Sequence, residues 1–257
     1  MKRISWLLPF LYIFPLLLIG KNGNADLHSE LKLHVEIAQN TESYFYPYHD
    51  LPDRLKDQNK QSLLLFSYGS LIDEKSAGKT LSSQALATRR PAVAFGVKRV
   101  FDRDVPIKPG SQWGVPCHHD ARGMLNVQRT KELQEFINGV LVEVPIEDIT
   151  ALLDREEGYD LMPVIISDWD DFIAEIPQFE IAYILHANAD SLYVNSNIYP
   201  RPGYYELSRN AAKQYGSLFE SIWHQTTFMA DGETQIDIWE KWIEQGDRRT
   251  RIAENAP

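Results

Sequence analysis

Apolar positions fall along this chain in short runs: Leu63–Phe66, Ala92–Val97, Gly123–Val127, Gly139–Val144, Val164–Ile166 and Ile181–Leu185. Runs of this length between turn residues predict strands. Few helical patterns intervene, so the spacing predicts an α+β fold, a mixed sheet or small β-barrel with flanking helices, rather than regular strand–helix alternation. One helix is predicted after Pro145, with Glu147 and Asp148 in its first turn, Ile149, Leu152 and Leu153 at helical spacing, and Gly158 as its stop. A second is predicted over Tyr204 to Phe219, with Leu207, Ala211, Ala212 and Tyr215 on one face and Gly216 as its stop. A third, over Gln235 to Gln245, carries Trp239 and Trp242, which either pack on the core or face a partner.

Ahead of the strands the pattern is ambiguous. Leu31, Leu33, Val35 and Ile37 alternate as in a strand, yet Leu27, Leu31 and Val35 also fit a helix face. Earlier still, Lys2 and Arg3 precede an apolar stretch from Ile4 to Ile19, broken by Pro9 and Pro15 and followed by a polar turn at Lys21. That layout predicts a secretory signal cleaved after Ala25 and an exported protein, with a retained membrane anchor as the alternative. The expected organisation is therefore a leader over 1–25, an N-terminal extension over 26–61, one catalytic-sized domain over 62–225, and a C-terminal helical extension over 226–257.

Charge narrows the partners. A formal net charge of -10 over 257 residues, with no cluster of Lys and Arg, argues against a nucleic acid and for a small-molecule substrate. Cys117 is the only cysteine, so no intrachain disulfide forms and the domain stands on its core. Cys117-His118-His119-Asp120 concentrates ligand and nucleophile types, but adjacent residues seldom converge on one metal, and a polar loop is the expected reading.

Two segments carry candidate chemistry. Tyr68-Gly69-Ser70-Leu71 follows the first predicted strand directly, and a strand emptying into a glycine turn can aim successive backbone N–H groups at an anion. Leu153-Asp154-Arg155-Glu156-Glu157-Gly158-Tyr159 places acids where a helix breaks against an aromatic residue, a setting in which one carboxyl can be shielded.

This pairing resembles the gamma-glutamylcyclotransferase family, which shares a Tyr-Gly-Ser loop after the first strand and an essential glutamate. Tyr68-Gly69-Ser70-Leu71 is similar to that loop, with Leu71 where some members carry asparagine. The family's glutamate follows a Leu-Asp pair and approaches a glycine; counting from Leu153-Asp154 gives Glu157, with the neighbouring Glu156 as the alternative. Pro200-Arg201-Pro202-Gly203-Tyr204 resembles a third family segment, Pro-x-Pro-x-Tyr, and would bring Tyr204 to the pocket. The likeness spans roughly 62–219. It implies a cofactor-free and metal-free enzyme in which the alpha-amine of a gamma-glutamyl substrate attacks its own side-chain carbonyl, releasing 5-oxoproline and an amine or amino acid. Glu157 would move the protons, while Tyr68, Gly69, Ser70, Leu71 and Tyr204 would bind the substrate. A non-catalytic binding module of the same fold and a Cys117-dependent hydrolase are the alternatives.

Overall fold

The computed structural model describes residues 24–108 and 111–253. The signal-like segment lies outside them apart from Asn24 and Ala25, which open the first helix. Among the described residues no helix is long and apolar enough to cross a membrane.

Five strands close into a barrel: β1 (Ser62–Ser67), β5 (Phe136–Pro145), β2 (Arg90–Phe95), β6 (Asp160–Asp168) and β7 (Glu180–His186), in that order. All neighbours are antiparallel except β7 and β1, whose parallel pairing of Leu65 with Tyr183 and Phe66 with Ile184 completes the ring. Closure leaves no free edge, and it explains the near-continuous apolar runs: one side of each strand fills the barrel while the other lies under helices and loops.

The run Ala92–Val97 is not one strand. Gly96, at φ 69°, bends the chain out of the barrel, and β3 (Val97–Asp104) then pairs with β4 (Gly123–Arg129) and the short β8 (Thr227–Phe228) in a separate three-stranded sheet. A register shift between Val100 and Arg103 marks a bulge in β3 and leaves Phe101, Asp102 and Arg103 all buried.

Close backbone approach fixes Gly139 in β5. A side chain there would collide with the Ser67 carbonyl oxygen and stand 2.6 Å from Phe66 Cζ. Gly139→Ala is therefore expected to cost about 3 kcal/mol of stability, read as a lowered denaturant midpoint.

The ambiguous N-terminal segment is a helix, α1 (Asn24–Asn40), which packs on β6 and β7. After it, Tyr44 exchanges two backbone hydrogen bonds with Leu161 of β6, at 2.9 and 2.8 Å, and the chain passes through a cis Tyr46-Pro47 bond into α2 (Leu51–Asp57). Tyr44, Tyr48, Leu51 and Leu55 thus join the main core. The short α3 (Glu74–Ala77) and α4 (Ser83–Ala87) follow β1, and α5 (Ile146–Arg155) follows β5. In α5 the residues at helical spacing, Ile146, Ile149, Leu152 and Leu153, are the buried ones. The short α6 (Trp169–Ile173) links β6 to β7. The Tyr204–Phe219 pattern spans two helices, α7 (Pro202–Lys213) and α8 (Ser217–Gln225), divided at Gly216 with φ 99°. In α9 (Asp237–Glu244) Trp239 is fully buried and Trp242 packs on Tyr199 and under Arg249, so the tryptophan pair belongs to the core. The segment after residue 225 is integrated likewise, through β8 and through Ile236 and Trp239.

Candidate active site

The first barrel strand ends at Ser67, and the chain turns through Tyr68 and Gly69 into a 3-10 turn over Ser70–Ile72, closed by Ile72 N–H donating to Gly69 C=O at 2.9 Å. The amides opening such a turn have no acceptor within it. The turn borders a narrow cleft lined by Tyr68, Gly69, Ser70, Glu156, Tyr159 and Tyr204, with Leu71, Leu125 and Leu185 as its apolar wall, and the Ser70 backbone meets the Tyr204 phenol there. Tyr68, Gly69, Ser70, Leu71 and Tyr204 are thus brought together as the sequence suggests.

Glu157 is not brought to them. The last helical residue of α5 is Arg155; Glu156 caps it at φ -100°, ψ 37°, and Gly158 reverses the chain at φ 80°. This turn sends Glu156 into the cleft and leaves Glu157 exposed, its side chain in a separate hollow beside Tyr46 and Tyr48. The acid that lines the cleft with the loop is Glu156.

Arg103 holds the turn in place. Its guanidinium lies between the rings of Tyr159 and Tyr193, 4.9 and 4.2 Å from their centroids, and Nη2 donates to the Glu157 carbonyl at 2.8 Å. A side chain at Gly158 would stand 2.8 Å from that same nitrogen. Arg103 therefore pins the Glu157–Gly158 step from outside while Glu156 points inward.

Burial pushes the Glu156 carboxyl above its usual range, against the pull of Arg155 and, further off, Arg103. The side chain is 14% exposed, and its Oε1 accepts from Arg155 Nε at 3.0 Å. Arg155 also ties the acid to the loop: Nη2 donates to Ser70 Oγ at 3.0 Å and to Ser76 Oγ at 2.9 Å, and Nη1 to the Ser76 carbonyl at 2.6 Å. The Ser70 hydroxyl is thus an acceptor for a guanidinium, with no base beside it to make it a nucleophile.

The tyrosines are fixed by burial and by backbone partners. Tyr68 and Tyr159 donate to the Leu185 and Leu125 carbonyls at 2.8 and 2.7 Å, and both phenols are pushed well above their ordinary range by burial. Burial and then the Glu156 carboxylate push the Tyr204 phenol up to about 12. Its hydroxyl sits 2.5 Å from the position a Gly69 Cβ would take, so the loop and Tyr204 touch only because residue 69 is glycine.

The rival constellation stands outside the cleft. His118, His119 and Asp120 have ligand atoms within 4.8 Å of one another, but Asp120 is paired with Arg122 at 3.0 Å and with His119 at 3.1 Å, and His118 Nδ1 accepts from the Asp120 amide at 3.2 Å. Cys117 Sγ has no hydrogen bond to either histidine. His186 is likewise spoken for: its Nδ1 meets the Val127 carbonyl at 2.7 Å, and burial lowers its pKa.

Glu156 enters the sequence-derived site only as the alternative to Glu157, and Arg155 and Arg103 are absent from it. A signal for the first was present: Ile149, Leu152 and Leu153 define the buried stripe of α5, and position 156 continues it at i+7, i+4 and i+3. No comparable pattern marks Arg103, which lies 53 positions before Glu156 and meets it only through the fold.

No family model matches the chain, and no curated protein matches it. Among solved structures it is similar to one described as a gamma-glutamyl cyclotransferase, at 17% identity and TM-score 0.48 over 72% of this chain and all of that one. It is also similar to a yeast gamma-glutamyl cyclotransferase specific to glutathione, at 12% identity and TM-score 0.46 over 65% and 96% of the two chains. An uncharacterized protein from Homo sapiens matches at 16% identity and TM-score 0.45 over 63% and 87%. At such values the chemistry has to be read from the site's own residues.

Proposed function

We propose that this chain is a cofactor-free gamma-glutamylcyclotransferase-type enzyme with Glu156 as its general acid and base. The observation that carries the reading is a shielded carboxyl, raised by burial, in the same cleft as an amide-bearing glycine turn whose sequence resembles that family's loop.

A gamma-glutamyl group holds its own nucleophile, so an enzyme acting on it needs to fold the substrate and move protons. The alpha-ammonium gives up a proton to Glu156, its nitrogen attacks the gamma-carbonyl carbon, the amide C–N bond breaks as Glu156 returns the proton to the departing nitrogen, and the ring nitrogen sheds its second proton through the freed carboxylate to the released amine or to water. One carboxylate performs both transfers in sequence. The amides of the Gly69–Leu71 turn offer donors to the substrate carboxylate or to the oxyanion that forms on ring closure.

A panel of gamma-glutamyl amino acids, gamma-glutamyl amines and glutathione, read for 5-oxoproline by mass spectrometry, tests the assignment. Release from none of them, or activity that survives Glu156→Gln and disappears in Cys117→Ala, would refute it. A pH profile provides a further check. Because Glu156 must start as a carboxylate, kcat/KM falls as the pH drops through its raised pKa. Arg155→Met removes the strongest influence holding that pKa down, so the acid limb is expected to move to higher pH.

A further inference from the structure

The N-terminal extension lies outside the part of the chain that resembles the family, yet it brings a side chain next to Glu156. It is pinned to β6 by the paired backbone bonds of Tyr44 and Leu161 and by the Tyr46 amide donating to Asp160 Oδ1 at 2.7 Å. Further on, its helix α2 packs on α5, the helix that Glu156 caps. Between these anchors in sequence stands Tyr48. Its side chain is 3% exposed, and its hydroxyl is sealed from solvent with no hydrogen-bond partner among the described residues.

A buried donor left unpaired opposes folding, and a phenylalanine would fill the same space without that cost. The surroundings of the hydroxyl give it a use. Burial and then the Glu156 carboxylate, ahead of Asp160 and Tyr46, push the Tyr48 phenol well above its ordinary range, so it keeps its proton and stays a donor. Glu156 for its part accepts one side-chain bond, from Arg155 Nε to Oε1, which leaves Oε2 without a donor among the described residues. The other groups acting on Glu156 are Arg103 from β3 and the phenols of Tyr68, Tyr159 and Tyr204. Arg103 is taken up by two rings and the Glu157 carbonyl, Tyr68 and Tyr159 donate to main-chain carbonyls, and Tyr204 meets the Ser70 backbone. Tyr48 is the phenol of this group that has no partner.

We infer that Tyr48 is a positioning residue for Glu156: its hydroxyl donates to the Glu156 carboxylate whenever that group is charged, and is released when the carboxyl takes up a proton. The extension thereby supplies the acid with a donor that follows its charge through the two proton transfers. The link to turnover rests on the cyclotransferase reading, whereas the hydrogen bond is measured on the protein alone.

Tyr48→Phe keeps the ring and removes the donor, and a thermal melt checks its fold. Nuclear magnetic resonance of the full chain with isotope-labelled glutamate reads the Glu156 carboxyl, whose signal is identified by its loss in Glu156→Gln. That carboxyl is expected to titrate about one pH unit higher in Tyr48→Phe than in wild type, since a donor to the charged form holds a carboxyl pKa down. In wild type with labelled tyrosine, the Tyr48 ring signal should move together with the Glu156 titration, and this movement should vanish in Glu156→Gln. Turnover adds a further readout: the acid limb of kcat/KM should rise by the same interval, while kcat on the alkaline plateau falls by less than about tenfold. A mere loss of packing would lower activity evenly across pH and leave the carboxyl titration in place. An unchanged Glu156 titration in Tyr48→Phe overturns the inference, and a shifted Asp160 signal instead, read with labelled aspartate, assigns the hydroxyl to Asp160. A shifted Glu156 titration in a chain that releases no 5-oxoproline upholds the hydrogen bond and removes the cyclotransferase reading alone.

Discussion

Glu156→Gln is expected to lower 5-oxoproline release by roughly 10²- to 10⁴-fold, the usual scale for removing a general acid or base, and to make the protein more heat-stable near neutral pH. Both effects have one cause. A carboxyl whose pKa is raised on folding binds its proton more tightly in the folded state. As pH rises from the ordinary carboxylate range through the raised value, the folded state must then ionise a buried group that the unfolded chain ionises in water. That contribution to stability is present in acid and lost towards neutrality. Gln keeps the shape and can still accept from Arg155 Nε, but never ionises. The melting temperature of the variant should exceed that of wild type at pH 7.5, and the gap should close below the ordinary carboxylate range. Glu157→Gln supplies the contrast: an exposed carboxylate outside the cleft should change turnover by less than tenfold and show no such pH-dependent gain. An inactive Glu157→Gln beside an active Glu156→Gln would return the assignment to the neighbouring residue.

That choice between adjacent glutamates shows where sequence reading stopped. The barrel was legible because its strands are buried on both sides and so appear as unbroken apolar runs. Helix α5 was legible because Pro145, two acids in the first turn and a 3–4 spacing all agree. The split at Gly96 was not, since the apolar run continues through it and only the positive φ of that glycine separates two sheets. Strand β3 was hidden by its own charges: Arg99, Asp102 and Arg103 look like surface residues. Yet all three are buried, with Arg99 held by Asn138 and Thr227, Asp102 by Gln128 at 2.7 Å, and Arg103 by tyrosine rings. At the site, the glycine turn and Tyr204 were readable from local sequence. The direction of the acid was not, because it is set by a cap, a left-handed glycine and an arginine from a distant strand.

Gly69→Ala is expected to lower kcat/KM by about 10²-fold, the loss that follows when reacting groups are misplaced by about an ångström, with a much smaller change in overall stability. The added methyl would stand 2.5 Å from the Tyr204 hydroxyl, whereas its next neighbours, Leu125 Cβ and Cδ1, lie at an ordinary 3.7 Å. The conflict is thus with one oxygen atom. Tyr204 cannot swing away easily, since its ring packs edge-on against Phe101 and Trp113 at centroid distances of 6.4 and 5.2 Å. The loop must move instead, taking with it the amides of Ser70 and Leu71 and the Ser70 hydroxyl that receives Arg155. Tyr204→Phe removes the offending oxygen, and with it the phenol's interaction with the Ser70 backbone. If the clash is the cause, Gly69→Ala and Tyr204→Phe should be strongly non-additive, with the double variant more active than Gly69→Ala alone. Should the double variant be as poor as the product of the two single losses, the glycine is required for its backbone conformation or for room for the substrate, and the contact with Tyr204 is incidental. Steady-state kinetics on the four proteins of the cycle distinguish the two cases.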